Sequence, residues 1–456
     1  MRPPAAWRPW HSWTLSERKA LLVVGDLTIV VGGLLATWFV DQRVVAGPDR
    51  VTVWVALLVV VWVTVAQACD CYDLVVAAHL GSALRSLVTA AVVTVALYWL
   101  IPYWSPPLPS SRSVLALSVL LVCGPLVLWR TAYALLATRR AFRIRTLLLG
   151  VDAGATLVAK VLSTAGQSDY ELVGSVDYAG QSPGELSIAD HVLHLVQAHD
   201  VRELIVSGSL DQAPVLHATL GELAERGVTI TAANELYESL TGRALLPAAG
   251  GASFLWLPPT SAFYGVARRI FDVSVAALVL LVAAPLLLIV LAAIVVDSPG
   301  SPLYAQERVG RYGQRFRMLK LRTMVQHAEV DGRARWARRG DPRITRVGAL
   351  LRRSRLDEIP QLWNVLRGEM SVIGPRPERP EFVDVVSREV PIYRARHVAR
   401  PGITGWAQVK YCYGSSVQDT LTKLEYDLYY IRHRSLLLDA AILLKTAAVM
   451  VQLKGL

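Results

Sequence analysis

The sequence predicts a membrane protein with a four-helix transmembrane bundle, a parallel α/β domain, and a mainly helical C-terminal domain anchored by a re-entrant membrane helix. Hydrophobic residues make up 53% of the 456 residues and charged residues only 18%, whereas about 25% of a soluble globular protein is charged. Four long apolar runs come first, strands then alternate with helices, and a fifth apolar run follows. We predict residues 1–142 as the bundle, 143–245 as the α/β domain, 246–300 as a linker with the re-entrant helix, and 301–456 as the C-terminal domain.

The transmembrane bundle is predicted from apolar runs at residues 21–40, 51–66, 86–102 and 114–137. A spanning helix needs about 20 apolar residues, and flanking residues extend the two shorter runs. Basic residues precede the first run and follow the fourth, namely Arg8, Arg18, Lys19, Arg139, Arg140, Arg143 and Arg145. The positive-inside rule therefore places both ends of the bundle in the cytoplasm. We expect Asp26 and Arg130 near the ends of their spans, where they reach the interface.

The α/β domain is predicted from short strands at residues 146–150, 172–176, 203–207 and 228–231, which are separated by helical patterns. Such alternation predicts a parallel sheet. The first turn contains Gly150 and Gly154 but not the G-x-G-x-x-G pattern of a dinucleotide site. We therefore favour a regulatory or assembly module over a cofactor-binding one.

The fifth apolar run, residues 273–296, is long enough to cross a membrane. Both of its flanks are strongly basic, with Arg268 and Arg269 before it and Arg308 and Arg311 after it. Pro285 interrupts the run, removes a backbone donor and kinks a helix. We predict a re-entrant helix that enters one leaflet and returns. The alternative is a kinked spanning helix, which would place the C-terminal domain outside the cell.

The formal net charge of +11 indicates cytoplasmic loops facing anionic lipid, or an anionic substrate. We predict no nucleic-acid partner, because the chain has no zinc-finger, RNP or helix-turn-helix signature and its arginines alternate with Gly-Pro turns rather than stacking aromatics. The four cysteines show neither zinc-ligand spacing nor a disulfide framework.

A carboxylate pair, Asp357-Glu358, stands before Pro360 in the C-terminal domain. Proline is tolerated in the first turn of a helix, so we expect a helix to begin near Asp357. Helical spacing predicts a buried apolar face and a polar face; the apolar face is Leu356, Ile359, Trp363 and Leu366, and the polar face is Asp357, Gln361 and Asn364. Taken alone, such a pair is typical of a helix cap.

The surroundings of the pair indicate phosphoryl transfer. Basic and apolar residues alternate at 315–322, as in a half-buried strand, and we favour Lys320 and Arg322 as functional because they precede a polar turn. Prolines on both sides of Arg376 restrict its backbone, and its planar guanidinium can bind a phosphate through two hydrogen bonds. A carboxylate can attack phosphorus, and Mg²⁺ can bind one or two carboxylates plus substrate phosphates. Carboxylates, a metal ion and an arginine together form a phosphoryl-transfer site.

Four motifs in one order carry a family resemblance. They are residues 320–324 (Lys-Leu-Arg-Thr-Met), 356–362 (Leu-Asp-Glu-Ile-Pro-Gln-Leu), 374–377 (Gly-Pro-Arg-Pro) and 401–409 (Pro-Gly-Ile-Thr-Gly-Trp-Ala-Gln-Val). From about Arg268 onward the chain resembles the bacterial sugar transferases, the polyprenyl-phosphate glycosylphosphotransferases. The whole chain is similar to the larger members, which carry membrane spans and a Rossmann-like domain before the catalytic part.

The resemblance implies transfer of a phosphosugar from a UDP-sugar to undecaprenyl (polyprenyl) phosphate. Asp357 would attack the β-phosphorus, release UMP and form an aspartyl-phosphosugar, and Glu358 would assist, with Mg²⁺ held by Asp357 and Glu358. This is the initiating step of exopolysaccharide, capsule or O-antigen synthesis. The protein would lie in the bacterial inner membrane with its catalytic domain on the cytoplasmic face.

We take ten further residues as candidate substrate contacts: Lys320, Arg322, Gln361, Asn364, Pro375, Arg376, Pro377, Arg396, Arg400 and Gln408. One alternative is a metal-dependent glycosyltransferase that moves the sugar alone, although the C-terminal part has no Asp-x-Asp motif. Another is a non-catalytic membrane scaffold that binds nucleotide. The sequence leaves open the sugar and the oligomeric state, including a homodimer. The apolar run at 436–453 is expected to lie on the membrane or pack on the core.

Overall fold

A computed structural model describes residues 15–40, 48–99, 112–137, 143–164, 170–178, 188–208, 214–246, 261–326, 341–411 and 417–451. Arg8, Arg139 and Arg140, on which the predicted topology partly depends, lie outside these ranges, as does most of the predicted linker. The chain divides into two compact units, residues 1–251 and 252–456.

The first unit begins with helices rich in apolar residues. They are α1 (Leu15–Val40), α2 (Pro48–Ala68), the short α3 (Leu74–Ala78), α4 (Leu80–Trp99) and α5 (Arg112–Ala137). In the described part of the chain, α1, α4 and α5 are long and apolar enough to cross a membrane. The prediction of several apolar helices before the α/β domain is thus confirmed.

A buried ion pair joins the apolar helices. Arg130 Nη2 donates to Asp26 Oδ2 at 2.5 Å, and Arg130 Nη1 donates to the Cys71 carbonyl at 2.6 Å. Asp26 is 0% exposed and Arg130 2% exposed, so the expectation that both reach the interface was wrong. Each charge is tolerated inside an apolar bundle because the other neutralises it.

The rest of this unit is a four-stranded parallel sheet with helices between the strands. The elements are β1 (Ile144–Leu149), α6 (Ala153–Thr164), β2 (Tyr170–Val176), α7 (Ile188–Ala198), β3 (Glu203–Val206), α8 (Pro214–Glu225), β4 (Thr229–Ala232) and α9 (Ala233–Thr241). The strand order is β2-β1-β3-β4, and all three pairings are parallel. Alternate residues of β1 enter two hydrophobic clusters, one against α7 and α8 and the other against α6 and α9. The predicted parallel sheet is therefore confirmed.

The turn after β1 is closed by a side chain. Asp152 Oδ1 accepts hydrogen bonds from the Ala155 amide at 2.8 Å and from Ser207 Oγ at 2.5 Å. A dinucleotide site leaves the start of this helix open for a pyrophosphate, whereas here a carboxylate lies there. The start of α6 thus differs from that of a dinucleotide site, and the role of the domain stays a prediction.

The second unit contains one long helix, two small sheets and several short helices. Its elements are α10 (Ala262–Asp297), β5 (Leu303–Val309), β6 (Arg315–Leu321), α11 (Arg346–Ser354), α12 (Gln361–Arg367), β7 (Ser371–Ile373), α13 (Pro380–Glu389), β8 (Gly402–Thr404), α14 (Trp406–Lys410), α15 (Val417–Arg432) and α16 (Leu436–Val451). Strands β5 and β6 are antiparallel, and β7 and β8 are parallel. Arg315 and Arg317 share the exposed face of β6, while Phe316 and Met318 are buried. The two arginines therefore point to the same side of β6, because residues two apart on a strand share a face.

Both ends of α10 are tied to this unit. Near its start, Arg268 Nη2 donates to Ser371 Oγ at 2.9 Å, and Asp272 Oδ1 accepts from the Val372 amide at 2.9 Å. At its end, Asp297 Oδ2 accepts from the Val347 amide at 3.0 Å. Buried charges at the start of the helix thus hold it against β7.

Helix α16 packs on the small parallel sheet. Ala441 and Ile442 are buried, and the Thr446 and Thr404 hydroxyls lie 2.7 Å apart. Of the two arrangements expected for this run, the structure has packing on the core.

Candidate active site

The carboxylate pair lies in a tight turn between two helices. Arg355 adopts a left-handed conformation (φ 56°) that ends α11, and Asp357 and Glu358 follow in a single 3₁₀ turn, Leu356–Glu358. Helix α12 begins only at Gln361. The predicted helix start near Asp357 was wrong, because i→i+3 hydrogen bonds continue to the Trp363 amide, which donates to the Pro360 carbonyl at 3.0 Å.

Burial along this segment differs from the predicted pattern at Trp363 and at the polar residues. Trp363, assigned to the buried face, is 52% exposed, whereas Asp357, Glu358, Gln361 and Asn364 are buried. Helical spacing was read on the rule that apolar side chains turn inward. Here the polar side chains turn inward, towards β6, and therefore form the wall of a site.

Glu358 joins two cations from distant parts of the chain. Its Oε1 atom accepts a hydrogen bond from Lys320 Nζ at 3.2 Å and from Arg376 Nη2 at 2.9 Å. Burial alone would raise the pKa of Glu358, but the charges of Arg376 and Lys320 outweigh it and hold that pKa well below its ordinary value. Burial lowers the pKa of Lys320, and Glu358 opposes this change. Glu358 is therefore an ionised anchor for two cations.

Asp357 differs from its neighbour. Its carboxylate accepts no hydrogen bond from any side chain or amide in the described ranges. Burial raises its pKa, which the positive charge of Lys320 partly opposes and the Glu358 carboxylate raises further. A buried carboxylate that is not committed to an ion pair keeps an oxygen available for attack on an electrophile.

Arg396 binds the backbone of the loop that carries Arg376. Arg396 Nη2 donates to the Arg376 carbonyl at 3.0 Å and to Asp427 Oδ2 at 2.6 Å, and Nη1 donates to the Tyr393 hydroxyl at 2.5 Å. On the other side, Arg308 Nη1 donates to the Pro377 carbonyl at 3.1 Å. Arg396, expected to contact substrate, is buried and instead positions the backbone of Arg376.

Gly374 lets β8 approach this loop closely. Its amide donates to the Thr404 carbonyl at 2.8 Å, and the Gly402 amide donates to the Pro375 carbonyl at 2.9 Å. A Cβ atom at Gly374 would lie 2.9 Å from the Gly402 nitrogen, with the Arg400 carbonyl nearer still. Glycine at this position thus fixes where Arg376 emerges.

A small, open cleft lies beside Arg376. It is lined by Val309, Gly310, Pro375, Arg376, Pro377, Arg396, His397, Ala399 and Pro401. Burial, together with the charges of Arg396 and Arg394, lowers the pKa of His397 to about 4. His397 is therefore neutral at physiological pH and adds no charge to the cleft.

Two predicted contacts have structural roles instead. Asn364 Nδ2 donates to the Arg317 carbonyl at 2.8 Å and to Glu369 Oε2 at 2.7 Å, while its Oδ1 accepts from the Leu319 amide at 3.0 Å. Its amide is thus used to join α12 to β6. Arg322 binds the Ser298 and Pro299 carbonyls, where it caps the end of α10.

Two other predicted contacts are at least half-buried. Gln361 is 2% exposed, and its Nε2 has no hydrogen-bond partner among the described residues, so this donor suits a substrate oxygen. Gln408 is half-buried on α14.

Arg352, which we did not single out from the sequence, donates from Nε to Thr323 Oγ1 at 2.8 Å and acts electrostatically on Asp357. No motif marks Arg352, because its role depends on how α11 packs beside Thr323.

One carboxylate of the pair, Asp357, suits a metal ion whose other ligands come from a phosphate. The described residues contain no group of three or more His, Cys, Asp or Glu side chains that could hold a metal. Mg²⁺ is commonly held by one or two carboxylates plus substrate phosphates. Asp357 suits this role, whereas Glu358 Oε1 is already bound by Lys320 and Arg376.

Comparison with known proteins places these residues in a family. The model of the family described as bacterial sugar transferase matches residues 263–453. The UDP-glucose:undecaprenyl-phosphate glucose-1-phosphate transferase of Caulobacter vibrioides is 46% identical over 182 residues, which cover 39% of this chain and 67% of that protein. The chain belongs to the bacterial sugar transferase family. The matched segment runs from α10 to α16 and so contains every element of the site.

Two further relatives have related names. The UDP-N-acetylgalactosamine-undecaprenyl-phosphate N-acetylgalactosaminephosphotransferase of Aeromonas hydrophila is 43% identical over 212 residues, 46% of this chain and 50% of that protein. The undecaprenyl-phosphate glucose phosphotransferase of Komagataeibacter xylinus is 35% identical over 319 residues, 68% of this chain and 59% of that protein. The chain thus spans between about half and two thirds of the length of these relatives.

Proposed function

We propose that this bacterial sugar transferase moves a sugar 1-phosphate from a UDP-sugar to undecaprenyl phosphate, as the initiating step of a surface polysaccharide. The observation that carries the proposal is the contrast within the carboxylate pair. Glu358 is bound by Lys320 and Arg376, and Asp357 is buried beside it without such a partner. The names of the relatives support the two substrates.

The first half-reaction uses Asp357 as nucleophile. An Asp357 carboxylate oxygen attacks the β-phosphorus, the bond from this phosphorus to the bridging oxygen breaks, and UMP leaves with the electron pair. The product is a phosphosugar bound to Asp357. In the second half-reaction, an oxygen of the lipid phosphate attacks the same phosphorus and displaces the Asp357 carboxylate. The products are the lipid diphosphate sugar and the regenerated enzyme.

The neighbouring charges favour this chemistry. Lys320 and Arg376 are held in place by Glu358 and can stabilise negative charge that develops on the diphosphate. Gln361 offers a buried donor to a phosphate or sugar oxygen, and Pro375 and Pro377 fix the approach of Arg376. When Mg²⁺ is bound, it would be held by Asp357 and the diphosphate and would neutralise part of the substrate's charge.

The nucleotide product tests the function. Full-length protein in lipid nanodiscs is incubated with undecaprenyl phosphate and a panel of UDP-glucose, UDP-galactose and their N-acetylated forms. We expect UMP release with at least one sugar, and transfer of the label of a β-³²P donor to the lipid. Release of UDP with an unlabelled lipid would instead show transfer of the sugar alone.

We further propose that α10 is re-entrant and that the catalytic unit lies in the cytoplasm. The start of α10 is bonded to β7 through Arg268 and Asp272, and Leu287 and Val290 pack in the cluster formed by Leu321 and Leu351. Only about 14 residues lie between these contacts, or roughly 21 Å of helix, whereas the hydrocarbon core is about 30 Å thick. A bend near Pro285 would return the helix to the same side.

Cysteine labelling tests this topology. In a cysteine-free background, we expect a membrane-impermeant maleimide to label Ser105→Cys in intact cells, because that loop is predicted to face outward. Ser301→Cys, at an exposed position after α10, should be labelled only after the membrane is permeabilised. Labelling of Ser301→Cys in intact cells would show that α10 spans.

A further inference from the structure

Four arginines gather beside the start of α10, away from the carboxylate pair's own cations. We define this arginine cluster as Arg269, Arg311, Arg400 and Arg434. Each lies on a different element or loop, and each is half-buried. None of the four forms an ion pair with a carboxylate within the described ranges, so no carboxylate is bound directly to any of these guanidinium groups.

Backbone contacts fix where the cluster lies. Arg311 Nε donates to the Val398 carbonyl at 3.2 Å, two residues before Arg400. Arg269 Nη1 and Nη2 donate to the carbonyls of Val365 and Leu366 at 2.7 and 2.8 Å. Arg434 Nε donates to the Ile431 carbonyl at 3.0 Å. Arg311 and Arg434 each keep N–H groups that these bonds do not use, and no side-chain hydrogen bond to a described residue holds Arg400.

The carboxylates of Asp272 and Asp439 are both bound to Arg268 rather than to the cluster. Asp439 Oδ2 pairs with Arg268 Nη1 at 2.5 Å, and Asp272 Oδ1 lies 3.8 Å from Arg268 Nε. Asp272 also accepts from Ser371 Oγ and the Val372 amide. Arg268 offsets one of these two negative charges, so the four arginines of the cluster still outnumber the carboxylate charge left beside them.

The close approach of the four arginines makes their charged forms less favourable. Burial lowers the pKa of Arg400, and the charges of Arg311 and Arg269 lower it further. Burial likewise lowers the pKa of Arg434, and Arg311 contributes to this change. Partly buried cations that repel one another are stabilised when an anion binds between them.

Apolar side chains around the cluster indicate the source of that anion. Phe263, Val266 and Ile270 on α10 are 75%, 61% and 63% exposed, and Leu436 and Leu437 follow Arg434 with 47% and 64% exposed. Cations beside exposed apolar groups are typical of a surface that meets lipid headgroups. Planar guanidinium groups match the oxygens of a phosphate through paired hydrogen bonds.

We propose that the arginine cluster binds the phosphate monoester of a lipid and holds the acceptor before it reaches Asp357. The proposal rests on the proposed function, because it concerns the second substrate of that reaction. It gives the lipid phosphate a site separate from Arg376, which serves the nucleotide sugar. Phosphatidic acid carries the same headgroup chemistry and should compete for the site.

Measuring the two half-reactions separately distinguishes a failure of this proposal from a failure of the proposed function. Full-length Arg400→Gln/Arg434→Gln and the control Arg315→Gln, an exposed arginine outside the cluster, are reconstituted in nanodiscs of neutral lipid. For the double variant we expect the apparent KM for undecaprenyl phosphate to rise at least about tenfold, while phosphosugar–enzyme formation without lipid acceptor stays within about twofold. The control should match the unaltered protein in both measurements.

The remaining outcomes decide for or against the proposed lipid site. An unchanged KM for undecaprenyl phosphate in the double variant, or the same rise in Arg315→Gln, would overturn the proposal. Loss of the phosphosugar–enzyme in the double variant would assign the cluster to the sugar donor or to folding. In the unaltered protein, competition by phosphatidic acid but not by inorganic phosphate would support a lipid ligand, whereas competition by inorganic phosphate alone would overturn it. Absence of the phosphosugar–enzyme in the unaltered protein would refute the proposed function itself.

Discussion

Asp357→Asn is expected to abolish UMP release, with a loss of roughly 10⁴-fold or more, the scale seen when an enzyme's nucleophile is removed. An amide has the size of a carboxylate but cannot attack phosphorus to form a stable acyl phosphate. The measurement is UMP formation from the UDP-sugar that the unaltered protein uses, with equal amounts of inserted protein. The variant should keep its thermal unfolding midpoint, because Asp357 makes no hydrogen bond to a described residue.

Asp384→Asn is the matched control for this experiment. Asp384 is an exposed aspartate on α13 that pairs with Arg394 at 3.3 Å, and surface pairs of this kind contribute little to stability. We expect its UMP release to equal that of the unaltered protein. Normal UMP release in a correctly inserted Asp357→Asn variant would remove Asp357 from the mechanism.

Arg396→Met is expected to lower both stability and activity. The substitution leaves Asp427 buried without its cation, and it removes the donor to the Arg376 carbonyl. Breaking one partner of a buried pair costs about 3–5 kcal/mol, which corresponds to a fall in the unfolding midpoint of roughly 10 °C for a unit of this size. Thermal unfolding in detergent and the KM for the UDP-sugar measure the two effects.

The second partner provides the control. In Arg396→Met/Asp427→Asn, no unpaired charge is left inside, so we expect most of the stability to return while the KM defect remains.

Burial raises the pKa of Asp427 to about 6, although Arg396 opposes this, so the folded protein binds a proton more readily than the unfolded chain. That carboxyl's contribution to stability is therefore greatest below its unfolded pKa and decreases as pH rises towards 6. The decrease in the unfolding midpoint caused by Arg396→Met should accordingly be smaller at pH 5 than at pH 8. An equal decrease at both pH values would contradict this account.

The sequence predicted the members of the site better than their roles. Lys320, Glu358 and Arg376 belong to separate motifs, and the structure brings them to one carboxylate oxygen. Which carboxylate of the pair receives the cations could not be predicted, because it depends on how β6 and the turn after β7 meet. Asn364 and Arg396 were assigned to substrate for their residue types, but their burial gives them backbone-positioning contacts.

Hydropathy predicted the membrane helices because length and apolarity are local properties of the chain. It did not predict the pairing of Asp26 with Arg130, since the partners are far apart in sequence and meet only when α1 packs against α5. Helical spacing near Trp363 likewise predicted a helix correctly, but it placed Trp363 on the buried face, whereas the polar residues are buried. A polar site reverses the usual rule that the apolar face is buried.

The most direct test of the central claim is the mass of the peptide that contains Asp357. The protein is incubated with a UDP-sugar in the absence of undecaprenyl phosphate, stopped in acid, digested and analysed by mass spectrometry. We predict that this peptide gains the mass of one phosphosugar, that fragmentation places the addition on Asp357, and that undecaprenyl phosphate added before the stop removes it. UMP release with no such addition, or an addition that maps to another residue, would contradict a covalent mechanism through Asp357.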